Sequence, residues 1–165
     1  MPLLEKYPEY ADVIDPASPD EWLERFFRET TELGMALKGK VSFPPPCFRD
    51  MNARFVRYES RVLLVVRVPV PERSLNPVGT MQGGYVTAAI DNTIGPLSYM
   101  AARRPCSTLD LHTQYIRAIP PHDELTITGR VISRGPATML LGAEATNRKG
   151  RIVAIATANA AVQAV

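Results

Sequence analysis

Between Gly79 and Ala102 the chain carries one charged residue, Asp91. The stretch opens on Gly83-Gly84, and its spacing predicts a helix over 83–102 that is apolar nearly all round. A helix of that kind cannot stand in water; other elements have to cover it. The segment is nearly long enough to span a bilayer. It is also rich in Ala, Thr, Ser and Gly, contains Pro96, and holds Asp91 near its middle. A charge at that depth is costly in lipid, so the reading is a helix buried in protein.

The flanking segments supply a cover. Asn52 to Ser60 and Val62 to Val70 are rich in β-formers and almost contiguous, which predicts a hairpin near Glu59-Ser60-Arg61. After the helix, Ser107 to Ile119 alternates, with Leu109, Leu111, Thr113 and Tyr115 on one face and Asp110, His112 and Gln114 on the other. Glu124 to Ser133 turns Leu125, Ile127, Gly129 and Val131 inward. Thr138 to Asn147 and Arg151 to Gln163 complete the set, joined by turns at Arg134-Gly135-Pro136 and Asn147-Arg148-Lys149-Gly150. Short connections between the last four strands predict an antiparallel meander. The fold expected is α+β: a curved antiparallel sheet wrapped around one long helix.

Upstream, residues 1–17 are polar and punctuated by prolines, and read as an extended or weakly ordered lead. Ser18-Pro19-Asp20-Glu21 is a helix-start signature. Trp22, Leu23, Phe26, Phe27, Thr30 and Leu33 follow at helical spacing, so an amphipathic helix is expected over 19–38, with Gly34 and Gly39 as candidate stops. Its aromatic stripe reads first as core packing and second as a lid over a site. Pro44-Pro45-Pro46 reads as a stiff connector. The division expected is an N-terminal extension over 1–45 and one domain over 46–165.

Composition excludes several classes. A net charge of +2, with Lys and Arg scattered, does not argue for nucleic acid. Cys47 and Cys106 match no metal or CxxC spacing and read as free thiols of a reducing compartment. Met1 to Tyr10 has no basic-then-apolar leader, so a cytoplasmic location is expected. No metal and no cofactor is called for.

The chemistry concentrates at the helix. Gly83 and Gly84 place N–H groups without intrahelical partners at its positive end, where they could hold a carbonyl oxygen that becomes an oxyanion. Asp91 is expected to be buried and desolvated, with a raised pKa, and to act as a base on water or as a nucleophile toward an acyl carbon. The structural alternative is an Asp bonded to a neighbouring hydroxyl, Thr87 or Thr108. His112 and His122 lie near no nucleophile motif. Eight residues of helix span about 12 Å, too far for Gly83 and Asp91 of one chain to act on one carbonyl. Two copies of the helix, antiparallel about a two-fold axis, would join Gly83 of one to Asp91 of the other. A homodimer, or a dimer of dimers, is therefore expected.

The pattern Asn76-x5-Gln82-Gly83-Gly84-x6-Asp91, followed by Thr108-Leu109-Asp110-Leu111, resembles the hot-dog-fold acyl-CoA thioesterases, most closely the phenylacetate-pathway (PaaI-like) type. The resemblance covers about residues 50–165. It implies hydrolysis of an acyl-CoA to free acid and CoA. By position it implies Asp91 as the catalytic carboxylate, Gly83 as the N–H that polarises the thioester carbonyl, Asn76 as an orienting group, and Thr108 as the hydroxyl that supports the water. Gln82 stands where relatives carry His; it keeps a hydrogen-bonding side chain and loses a titratable one. Gly84, Arg134 and Gly135 are the substrate-binding candidates, and Arg103, Arg104 and Arg117 are further cations for CoA phosphates. Two alternatives share the fold: an acyl-thioester hydratase or dehydratase, which needs a His that Gln82 replaces, and a non-catalytic acyl-CoA binding protein.

Overall fold

The long apolar helix forms over the expected residues, Gly83–Ala102 (α4), and it lies against one six-stranded antiparallel sheet. The computed structural model describes residues 2–18, 20–37 and 41–164. The strands are β1 (Arg54–Glu59), β2 (Leu63–Pro69), β3 (Cys106–Tyr115), β4 (Glu124–Arg134), β5 (Thr138–Thr146) and β6 (Ile152–Val162). The predicted hairpin joins β1 to β2, with Val62 N–H on Glu59 O at 3.0 Å.

The strand order is β1-β2-β4-β5-β6-β3. Only β4, β5 and β6 form the expected meander; β3 leaves α4 and pairs with β6 at the far edge, not with β4. Alternation reports which face of a strand is buried and says nothing of its neighbour. Edge position also explains why most of β3 is exposed. Its register breaks between Thr108 and Asp110, and Leu109 at the break is 62% exposed instead of packing beside Leu111.

Helix α4 packs on β2, β3, β4 and β5. At the closest approach Gly129 faces it: a Cβ there would stand 3.2 Å from methyl carbons of both Thr93 and Ile94. Val86, Ile90, Ile94 and Leu97 are buried by this contact. The cover is one-sided, however. Gly84, Ala88, Asp91, Gly95, Tyr99 and Ala102 recur at helical spacing and remain exposed or half-buried. The sheet thus covers the helix as expected, from one face, and leaves this stripe open in the single chain.

The N-terminal lead is ordered, contrary to expectation. It contains a short helix α1 (Pro2–Lys6), and its Tyr10, Val13, Ile14 and Asp15 are buried. Ile14 bridges to Phe55, and Asp15 pairs with Arg67 of β2. The amphipathic helix is α2 (Leu23–Ala36), preceded by a 3-10 turn at Asp20–Trp22. It runs through Gly34, and the candidate residues Pro19 and Gly39 fall outside the described residues. Its aromatic stripe is core: Phe26 packs on Phe55 (4.8 Å between ring centroids) and Tyr58 (5.5 Å). Pro46 opens a further short helix, α3 (Pro46–Asp50), so the triple proline is a helix entry as well as a connector. One hydrophobic cluster runs from Tyr10 to Ala160.

Candidate active site

Asp91 projects from the open face of α4 and is exposed in the single chain, not buried as the sequence suggested. Thr108, on the neighbouring edge strand β3, donates its hydroxyl to Asp91 Oδ1 at 3.0 Å. This pair comes from residues 17 positions apart in sequence, joined because β3 runs beside the helix. Thr87, the other hydroxyl considered, turns instead to Thr113 (3.2 Å) and Tyr115 (2.7 Å). Asp91 and Thr108 line a cavity of about 300 Å³, whose other wall is the segment Val41–Cys47. Asn92 lines the same cavity, donating to Met51 Sδ (3.2 Å) and accepting from the Cys47 thiol (3.1 Å).

The helix N-terminus forms a second, separate surface. Gln82 is its N-cap, and Gln82 Oε1 accepts from Tyr85 N–H at 3.1 Å. This side chain thereby satisfies one of the unpaired N–H groups of the first turn. Gly83 lines a cavity of about 310 Å³ together with Asn76, Thr80, Tyr115 and Arg117. Asn76 holds the loop that leads into the helix: its Oδ1 accepts from Val78 and Thr80 N–H at 3.1 Å each, and its Nδ2 donates to Thr80 Oγ1 at 2.9 Å. Gly84 lies exposed beside Gln82.

The fold therefore divides the expected constellation. Asp91 and Thr108 meet at one cavity; Asn76 and Gly83 line another, and Gln82 lines neither, its side chain capping the helix. Tyr115 is the residue that sequence reasoning missed. Its hydroxyl donates to Gly83 O at 3.0 Å, and its ring occupies the space a side chain at 83 would need, with Tyr115 Cζ 3.0 Å from a Cβ built there. The signal available was its place at the end of an alternating strand, which marks a face and not a partner.

Arg134, Arg103 and Arg117 are engaged within the chain. Arg134 donates to Ala101 O at the C-terminus of α4, where a cation complements the exposed carbonyls. Arg103 pairs with Glu32, and Arg117 donates to Ile152 O. Gly135 closes the β4–β5 turn through its N–H on Thr138 O at 2.8 Å. Among the described residues no group of three His, Cys, Asp or Glu side chains is arranged to hold a metal, and no helix is long and apolar enough to cross a membrane.

Residues 78–154 match the Thioesterase superfamily. The mouse (Mus musculus) acyl-coenzyme A thioesterase 13 is 26% identical over 94 residues, 55% of this chain; the match spans 66% of that protein's length. Among solved structures, the E. coli PaaI protein from the phenylacetic acid degradation operon superposes with a TM-score of 0.72 at 16% identity, over 83% of this chain and 95% of that one. A hypothetical thioesterase from Streptococcus pneumoniae TIGR4, solved with coenzyme A, does so with a TM-score of 0.64 at 28% identity, over 67% of this chain and 88% of that one. With a six-stranded antiparallel sheet laid on one long helix, the chain has the hot-dog fold, and its segment 78–154, which includes both Gly83 and Asp91, is similar to the Thioesterase superfamily.

Proposed function

We propose that this protein hydrolyses acyl-CoA thioesters to a free acid and CoA. The observation that carries the reading is the Asp91–Thr108 pair, a carboxylate held by a hydroxyl on the wall of a cavity within the thioesterase-matched segment. The names of the mouse relative and of the coenzyme A complex of the streptococcal protein support CoA esters as the ligand class.

Thr108 occupies Oδ1 of Asp91, and Oδ2 is left to face water or a carbonyl carbon. As a base, Asp91 takes a proton from water as the water oxygen bonds to the thioester carbon. The C–S bond then breaks, and the proton passes to the departing CoA thiolate. As a nucleophile, the carboxylate bonds to the thioester carbon as the C–S bond breaks and CoA thiolate leaves; water then opens the anhydride, freeing the acid, restoring the carboxylate and supplying the proton that the thiolate takes up. In either case the carbonyl oxygen gains charge and needs a donor, for which Gly83 N–H at the positive helix end is suited. Within one chain the two groups line different cavities, so the complete site is assembled from Asp91 of one protomer and Gly83 of another. Gln82, committed to capping its own helix, supports hydrolysis over a hydratase reaction that needs a proton-carrying side chain there.

The test is release of free thiol across a panel of acyl- and aroyl-CoAs. Wild type should be active and Asp91→Asn should lose at least about a hundredfold in kcat. Undiminished hydrolysis by Asp91→Asn would overturn the mechanism; binding of acyl-CoA without thiol release would leave a binding protein.

A further inference from the structure

One wall of the Asp91 cavity comes from a part of the chain that the family match leaves out. Val41, Phe43, Pro45 and Cys47 line it, and all precede residue 78, where that match begins. Opposite them stand α4 from Asp91 to Tyr99 and β3 at Cys106 and Thr108. The arm is fastened at both ends. Phe43 stacks on Phe55 with 5.8 Å between centroids and 13° between planes, and lies 5.9 Å from Phe26. The Cys47 thiol donates to Asn92 Oδ1 at 3.1 Å, next to Asp91 on the helix.

The dimensions bound what fits. From Asp91 to Tyr99 the helix rises about 12 Å. The volume is about 300 Å³, and at roughly 30 Å³ per water-sized group this accommodates about ten non-hydrogen atoms. The arm's Val41, Phe43 and Pro45 make its side of the cavity mainly apolar, with the polar Ser42 beside them, and the reactive pair Asp91–Thr108 lies on the facing side.

We propose that the arm Val41–Cys47 is the specificity wall of the acyl site, restricting this protein to apolar acyl groups of about ten non-hydrogen atoms or fewer, of medium-chain or aryl-acyl kind. The inference rests on the thioesterase reading above. Phe43 sets the width from the core side, and Cys47 sets it from the helix side. Because α2 ends before the arm and its stripe faces the core, the arm, not the aromatic helix, meets the substrate.

The test compares kcat/KM for acetyl-, octanoyl-, phenylacetyl- and palmitoyl-CoA. Octanoyl- or phenylacetyl-CoA should exceed palmitoyl-CoA by about tenfold or more, and which of the two leads separates a medium-chain from an aryl pocket. Cys47→Leu should move the octanoyl-to-acetyl ratio down by about tenfold, and Phe43→Leu should move the palmitoyl-to-octanoyl ratio up, in proteins whose thermal unfolding confirms the fold. A second measurement does not need turnover. Cys47 is the exposed thiol and Cys106 the buried one, so octanoate bound in the cavity should slow the labelling of Cys47 by an aromatic disulfide. A palmitoyl preference, or ratios indifferent to both substitutions, would overturn the proposal. Should no acyl-CoA be cleaved, the thioesterase reading fails by itself, and the labelling decides on the cavity: protection of Cys47 upholds the apolar acyl site, and unaltered labelling overturns it.

Discussion

The hydroxyl of Tyr115 donates to the carbonyl oxygen of Gly83 at 3.0 Å, and its ring stands where any side chain at position 83 would begin. The contact continues into the fold, because Thr87 Oγ1 lies 2.7 Å from the Tyr115 hydroxyl and 3.2 Å from Thr113 Oγ1. A run of hydroxyls thus ties the first turn of α4 to the edge strand β3. A side chain at position 83 would need the Tyr115 ring to give way by a few tenths of an ångström.

Gly83→Ala should accordingly lose about 1–3 kcal/mol of stability from overpacking, read by urea unfolding. Tyr115→Ala should relieve it, so that the double substitution is more stable than the sum of the two single losses. Strictly additive losses would show that the Tyr115 ring is not the obstacle.

Thr108→Val keeps the shape of the side chain and removes the hydroxyl from Asp91 Oδ1. The carboxylate then loses its fixed orientation, and kcat for acyl-CoA hydrolysis should fall about tenfold with KM little changed. Thr108→Ser should retain most of the rate. Equal activity of the Val and Ser forms in the thiol-release assay would remove Thr108 from the mechanism.

Ala88 sits on the open stripe of α4 between Gly84 and Asp91. If antiparallel helices of two protomers pack along this stripe, Ala88→Glu places like charges against each other at the two-fold contact and desolvates them. Light scattering should find the wild type dimeric or larger and the variant monomeric. Its thiol release should fall with the dimer, and a fully active monomer would dismiss the shared site.

Tyr58 anchors α2 to the β1–β2 hairpin by donating to Glu29 Oε2 at 2.6 Å, with Ser60 on the other carboxylate oxygen at 2.7 Å. Burial, with the adjacent Glu29 carboxylate acting the same way, pushes the phenol well above its ordinary value near 10. The folded state holds this proton more tightly than the unfolded state. The stabilisation is therefore complete below about pH 10 and is lost as pH rises beyond it. Urea unfolding between pH 8 and pH 11 should show a steep alkaline loss in the wild type that is shallower in Tyr58→Phe.

The helix over 83–102, the β1–β2 hairpin and the inward residues of β4 are legible from the chain alone, since each follows from local periodicity and turn chemistry acting over a few residues. Gly83 and Asp91 stand out as candidates for a related reason: a solitary charge in an apolar stretch and paired glycines at a helix start are unusual in any fold, whereas Thr108 came from the family resemblance and as one of two hydroxyls considered for Asp91. The placement of β3 beside β6 is not, because alternation fixes a face and leaves the pairing partner open. For the same reason the exposure of Asp91 escaped: one sheet covers one side of a helix, and hydrophobicity along the helix cannot tell a face turned to the sheet from one left open. The order in residues 2–18 and the approach of Val41–Cys47 to Asp91 also escaped, since both depend on contacts with residues distant in sequence. Local patterns in the sequence determine which groups can do chemistry. Long-range packing of the sheet, the helix and the N-terminal arm decides that Thr108 reaches Asp91, that Tyr115 packs against Gly83, and that Asp91 and Gly83 line different cavities.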